Sequence, residues 1–307
     1  MKDLLSLRYW NNAMIKGLVK ETYKIKKYPK NYYNKLQNKT MLMIFEKPSL
    51  RTRVSFEAGM TQLGGHAIYL DAKDAPLGKK ETIEDTAKVS SRYVDIMMAR
   101  LFSQTILEKL ANNSTVPVIN GLTDIFHPCQ ILSDLFTIHE KKKKLKGLKL
   151  CYLGDGDNNV THSLLLGCSI TGMNISIGCP RKYKPLWWVI DLAQKKAKKS
   201  GSKIEILHDA KKAAKNADVV YTDSWMSYHI PKKQEKSRLK IFKPFQVDQQ
   251  LMKEAKKNAI FMNCLPAKRG QEQTTQVIDG SQSIVFDQAE NRLHMQKAII
   301  LKLLHRI

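Results

Sequence analysis

The chain has 307 residues, 52 Lys and Arg against 28 Asp and Glu, and a formal net charge of +24. Its 43% hydrophobic and 8% aromatic content excludes a disordered chain, and its length fits two domains better than one. No apolar run is long enough to span a membrane, and the N-terminus, with its early Asp3, lacks a secretory core, so a cytoplasmic protein with no membrane partner is expected.

The basic excess favours anionic partners: nucleic acid, an acidic membrane surface or a phosphorylated metabolite. It is mostly lysine and is spread along the chain. Its one dense run, EKKKKLKG at 140–147, reads as an exposed connector between domains. Zinc-finger, RNP-like and basic-heptad spacings are missing, so no nucleic-acid partner is expected. Five cysteines without a C-x-x-C pair read as reduced thiols.

Residues 1–40 read as a helical lead-in. Four strand candidates follow, at 41–45, 66–70, 94–100 and 116–120, and five more at 148–155, 173–180, 203–209, 218–223 and 259–266. A further short strand is expected at 283–287, ahead of a final amphipathic helix. Strands alternating with helices predict an α/β protein with two doubly wound parallel-sheet domains. The expected division is 1–138 and 139–289, with the helix at 290–307 returning to the first domain.

The unusual polar groups lie at or just past the C-terminal ends of these strands, where parallel α/β sheets bind ligands. The expected active site is therefore the cleft between the domains. After the first strand, FEKPSLRTRVSFE places Ser49, Arg51, Thr52 and Arg53 at the start of a helix, a ready site for phosphate. Arg100 ends the third strand, and HPCQ supplies His127 and Gln130. This set holds no obvious nucleophile or metal ligands. It suits a phosphorylated carbonyl compound whose leaving phosphate is neutralised and whose carbonyl is polarised.

In the second half, GDGDNN fails the G-x-G-x-x-G spacing of a dinucleotide loop. Asn158, Asn159, Asp223 and Ser227 suit an amino-acid-like ligand, with the Asp facing its ammonium group. Cys264 lacks a nucleophile elbow or a fixed His partner, which argues against covalent catalysis.

Together, FEKPSLRTRVSFE, MMAR, HPCQ, GDGDNNVTHS, TDSW-S, NCLPA and FDQAENRLHMQKAI resemble the ornithine carbamoyltransferases over essentially the whole chain. The resemblance implies a carbamoyl-phosphate domain followed by an ornithine domain, in a homotrimer or a multiple of trimers. It also implies transfer of a carbamoyl group to L-ornithine in arginine metabolism, giving L-citrulline, with no cofactor and no metal. Carried over by position, carbamoyl phosphate would be held by Ser49, the Leu50 N–H, Arg51, Thr52, Arg100, His127 and Gln130, with Cys264, Leu265 and Arg292 around its carbamoyl end. Ornithine would be held by Asn159, Asp223, Ser227 and Tyr228. Arg100, His127 and Cys264 would be the catalytic groups, Cys264 orienting or deprotonating the amine.

The chain departs from the common pattern at Leu50 (usually Thr), Pro76 (usually Gln), Asn263 (usually His) and Tyr228 (usually Met). Lys79 or Lys80 is a possible substitute for the lost Gln contact. Two alternatives follow: a carbamoyltransferase for another amine, such as putrescine or a modified ornithine, or a weakly active basic homologue that binds nucleic acid or a partner enzyme.

Overall fold

A computed structural model describes the chain apart from residues 1, 74–77, 79–80 and 227–229. Two compact units emerge, one formed by 1–9, 13–136 and 290–307, the other by 10–12 and 137–289.

In the first unit the elements run α1 (Asn12–Lys27), β1 (Thr40–Phe45), α2 (Leu50–Gln62), β2 (His66–Asp71), α3 (Ile83–Ser90), β3 (Ile96–Arg100), α4 (Gln104–Asn113), β4 (Val118–Leu122) and the start of α5 (Pro128–Lys142). Among the described residues these strands form a four-stranded parallel sheet in the order β2-β1-β3-β4. The second unit takes the rest of α5 and adds β5 (Lys149–Leu153), α6 (Asn159–Thr171), β6 (Asn174–Gly178), α7 (Trp187–Ser200), β7 (Ile204–Leu207), α8 (Ala210–Ala214) and β8 (Val219–Thr222). It continues with α9 (Glu235–Phe242), α10 (Gln249–Glu254), β9 (Ile260–Asn263), α11 (Thr275–Ile278) and the start of α12 (Val285–Leu303). Its described strands form a five-stranded parallel sheet, β7-β6-β5-β8-β9.

Fully buried runs such as Met41–Phe45 and Val219–Thr222 are what parallel strands covered on both faces require. In each sheet the order reverses once, between β1 and β3 and between β5 and β8, and a crevice opens there at the carboxyl ends. Phe45 pairs with Arg100, and Leu153 with Thr222, so the loops carrying the candidate residues leave from neighbouring strand ends.

Three expectations need correction. The strand expected at 283–287 does not form: Ser283 makes one parallel bridge to Phe261, and α12 begins at Val285. Val285 is buried and Phe286 is exposed, so SIVFD opens a helix with one apolar face; so short an apolar run does not separate the two periods. The lead-in is helical over α1 and a short 3₁₀ turn at Pro29–Tyr32, and not at its start. Ahead of α1, Leu4 lies beside β4, its N–H donating to the Val118 carbonyl at 2.9 Å and its carbonyl accepting from the Asn120 N–H at 2.8 Å. The lysine run is only partly a connector: Lys141 and Lys142 end α5, whose last turn favours cations, and Leu145 is buried.

Candidate active site

In the first unit, Ser49 adopts extended backbone (φ −162°) and caps α2, its Oγ accepting from the Thr52 N–H at 3.3 Å. A cap of this kind fixes where the helix starts and leaves the first N–H groups, including that of Leu50, pointing out of the end. Thr52 is buried, Arg51 half-buried, and the Leu50 side chain 74% exposed, so any use of Leu50 is through its backbone. Arg53 does not join them: it pairs with Glu57 at 3.0 Å and lies over the Tyr69 ring at 3.8 Å.

The buried Arg292, on α12, reaches the same helix start. Its Nη1 donates to Gln130 Oε1 at 2.5 Å, and its Nη2 lies 3.4 Å from Thr52 Oγ1. Gln130 is itself oriented by donating to Asp134 Oδ1 at 2.9 Å. Helix α5 begins within HPCQ, at Pro128, so His127 lies just ahead of it and Gln130 in its first turn, both buried.

The buried His127 imidazole is held well below its ordinary range, first by loss of solvent and then by the positive charges of Arg292, Arg100, Lys47 and Arg51. It is therefore neutral at physiological pH, able to offer an N–H without adding charge. The same four cations define an anion-seeking cluster in which three arginines were anticipated and Lys47 was not.

Lys47, in the E-K-P turn after β1, is only 3% exposed, and its Nζ sits 4.1 Å from the centroid of Phe102. Burial, with the Arg100 charge beside it, lowers it to about 8. Glu46 braces this turn across the crevice: its N–H donates to the Arg100 carbonyl (2.9 Å) and its carboxylate accepts from the Phe102 N–H (2.7 Å). The signal in the sequence was a lysine directly between a buried strand and the anion-binding turn. Cys129 plays no part in an ionised form, since burial pushes its thiol up to about 12.

In the second unit, Asp223 and Cys264 follow the adjacent strands β8 and β9, and the Cys264 thiol donates to Asp223 Oδ1 at 3.1 Å. A thiol donating to a carboxylate is protonated, which supports an orienting group over a nucleophile. Leu265 takes a left-handed backbone (φ 56°), and its N–H donates to Asn263 Oδ1 at 2.7 Å. Asn263 is fully buried and also donates to Gln273 Oε1 at 3.1 Å. The residue replacing the usual His thus braces the Cys-Leu-Pro turn from beneath.

Asn159 is half-buried at the first position of α6. Asn158, grouped with it as a ligand candidate, is the helix cap instead: its Oδ1 accepts from the Thr161 N–H at 2.8 Å and its amide donates to the Tyr152 hydroxyl at 2.7 Å. The glycines of GDGDNN serve packing. A Cβ on Gly154 would meet Trp225 Nε1 at 3.0 Å, and one on Gly156 would meet the Tyr183 carbonyl at 2.5 Å. Asp155 forms a buried ion pair with Arg238; burial nonetheless pushes its carboxyl up to about 6, more than the guanidinium pulls it down. Ser227, Tyr228, Pro76, Lys79 and Lys80 lie outside the described residues. Among the described residues no three His, Cys, Asp or Glu side chains are grouped to hold a metal, and no helix is long and apolar enough to cross a membrane.

Residues 2–140 match the family described as aspartate/ornithine carbamoyltransferase, carbamoyl-P binding domain, and residues 146–303 match its Asp/Orn binding domain. The chain is 48% identical over 305 residues to the ornithine carbamoyltransferase of Anoxybacillus flavithermus, covering 99% of this chain and 96% of that protein. It is 54% identical over 265 residues to the anabolic ornithine carbamoyltransferase of Pyrococcus furiosus, covering 86% and 84%. The solved ornithine carbamoyltransferase of P. furiosus superposes with a TM-score of 0.94 at 49% identity, covering 98% of this chain and 96% of that one.

Proposed function

The chain belongs to the aspartate/ornithine carbamoyltransferase family, and we propose that it transfers the carbamoyl group of carbamoyl phosphate to the δ-amine of L-ornithine. The products are L-citrulline and phosphate, and the step is biosynthetic, supporting arginine formation. The observation that carries this reading is near-half identity, over 99% of the chain, to a protein named for ornithine.

In the proposed mechanism the first unit takes carbamoyl phosphate. The α2 N-terminus with Ser49, the Leu50 N–H, Arg51 and Thr52 receives the phosphate, and Lys47 adds charge. Arg100, the neutral His127 and Gln130 donate to the carbamoyl oxygen, where negative charge grows as the carbon becomes tetrahedral. Arg292 orients Gln130 and faces the carbamoyl end with Cys264 and Leu265. The second unit takes the amino acid through Asn159, Asp223, Ser227 and Tyr228, Asp223 meeting an ammonium group. The neutral δ-amine attacks the carbamoyl carbon, a C–N bond forms, and the C–O bond to phosphate breaks. The proton lost by the nitrogen leaves on the phosphate, so no cofactor or covalent intermediate is needed.

We further place the protein in the cytoplasm as a homotrimer or a multiple of trimers. Supporting assembly, the first unit exposes Leu50, Val54, Ile68, Val89 and Tyr93, and β2 is an edge strand among the described residues. Light scattering tests this, a monomer at micromolar concentration being the contrary result. The chemical assignment is tested by citrulline formation from carbamoyl phosphate and L-ornithine. Phosphate release without citrulline would contradict it.

A further inference from the structure

We infer that Glu272 is a positioning residue for the amine substrate: its buried carboxylate ties the segment carrying Asp223 to the segment carrying Cys264. The inference deepens the proposed function and rests on it.

Glu272 is fully buried, and its two oxygens accept from backbone N–H groups of two different segments. Oε1 accepts from Trp225 at 3.2 Å and Oε2 from Lys268 at 3.0 Å. Trp225 follows Asp223 by two residues, and Lys268 follows Cys264 by four; neither stretch is helix or strand. The following peptide is held as well, the Trp225 carbonyl accepting from Arg238 Nε at 2.7 Å. Next in the chain, Gln273 accepts from Asn263 and so secures the start of the Cys-Leu-Pro turn.

An ionised carboxylate buried against neutral N–H groups is costly, and burial, with the nearby charge of Asp223, raises Glu272 above the ordinary carboxylate range. A planar group with two acceptors meets that cost by satisfying two inward donors at once. Gln would accept from only one and present an N–H to the other. The distance between Asp223 and Cys264, 3.1 Å from thiol to carboxylate, depends on both segments keeping their places. Misplacing a substrate-orienting group by an ångström costs on the order of a hundredfold in rate.

The experiment compares wild type with Glu272→Gln, with ornithine varied at saturating carbamoyl phosphate and carbamoyl-phosphate affinity measured without amine. The expected result is an ornithine KM raised roughly tenfold or more, with carbamoyl-phosphate affinity within about twofold of wild type. An unchanged ornithine KM, or equal losses for both substrates, would overturn the inference. Wild-type turnover of ornithine in the same assay separates failure of this inference from failure of the proposed function. Hydrogen exchange on the wild-type protein decides the tie if the variant does not fold. Slow exchange at the Trp225 and Lys268 amides is expected, and exchange as fast as an exposed loop would refute it.

Discussion

Replacing Lys47 with Met removes one cation from the anion-seeking cluster while keeping an unbranched chain over Phe102. Lys47 titrates at about 8, so roughly nine in ten side chains are charged at pH 7 and roughly one in ten at pH 9. If carbamoyl phosphate selects the charged form, apparent affinity in the wild type falls about tenfold across that interval, since only the competent fraction binds. The sign follows from the direction of the shift. Lys47 is a base whose range is lowered, so its contribution is nearly complete at pH 7, half gone at about pH 8 and lost as pH rises further. A charge-assisted contact is worth about 1.5–3 kcal/mol, so Lys47→Met should bind roughly 10- to 150-fold more weakly at pH 7. Its affinity should then be nearly flat between pH 7 and 9. Calorimetry with a non-hydrolysable phosphonate analogue of carbamoyl phosphate, without amine, measures both quantities. A variant that binds as tightly as wild type at pH 7, or keeps the tenfold slope, would show that Lys47 does not meet the phosphate.

Arg238→Met leaves the buried Asp155 carboxylate without its partner, which should cost about 3–5 kcal/mol and lower Tm by several degrees. Adding Asp155→Asn should recover much of the loss, as read by calorimetry. In the wild type Asp155 is an acid held up at about 6, so the folded state binds its proton more tightly than the unfolded chain. Its contribution to stability therefore falls as pH rises from about 4 to 6; Asp155→Asn should remove that slope from a series of denaturant melts. Cys264→Ala should lower kcat/KM for ornithine by roughly tenfold, the worth of one hydrogen bond, with carbamoyl-phosphate affinity unchanged. An alanine variant with full kcat/KM would remove the orienting role.

Much of the architecture was legible because parallel strands covered on both faces leave apolar runs such as MLMIF and DVVYT, and because polar motifs collect past their carboxyl ends. SIVFD was misread because β-branched residues in a short run fit either period, and only its burial pattern shows one helical face. The cation cluster was readable through its arginines, which sit in the first turn of α2, at the end of β3 and on the final helix. Lys47 was missed since a lysine before proline looks like solvated punctuation, and only burial against Phe102 marks it out. Asn158 and Asn159 look equivalent in sequence, yet the local cap consumes the first. Glu272 was invisible because its partners are backbone N–H groups, which carry no residue signature, 47 residues away in the chain at Trp225 and only 4 at Lys268.

The most direct test is steady-state turnover of the purified protein with carbamoyl phosphate and L-ornithine, with putrescine, N-acetylornithine and L-aspartate as parallel acceptors. Robust citrulline formation with ornithine and little product with the other three are expected. Turnover with a different acceptor and none with ornithine would contradict the assignment to ornithine.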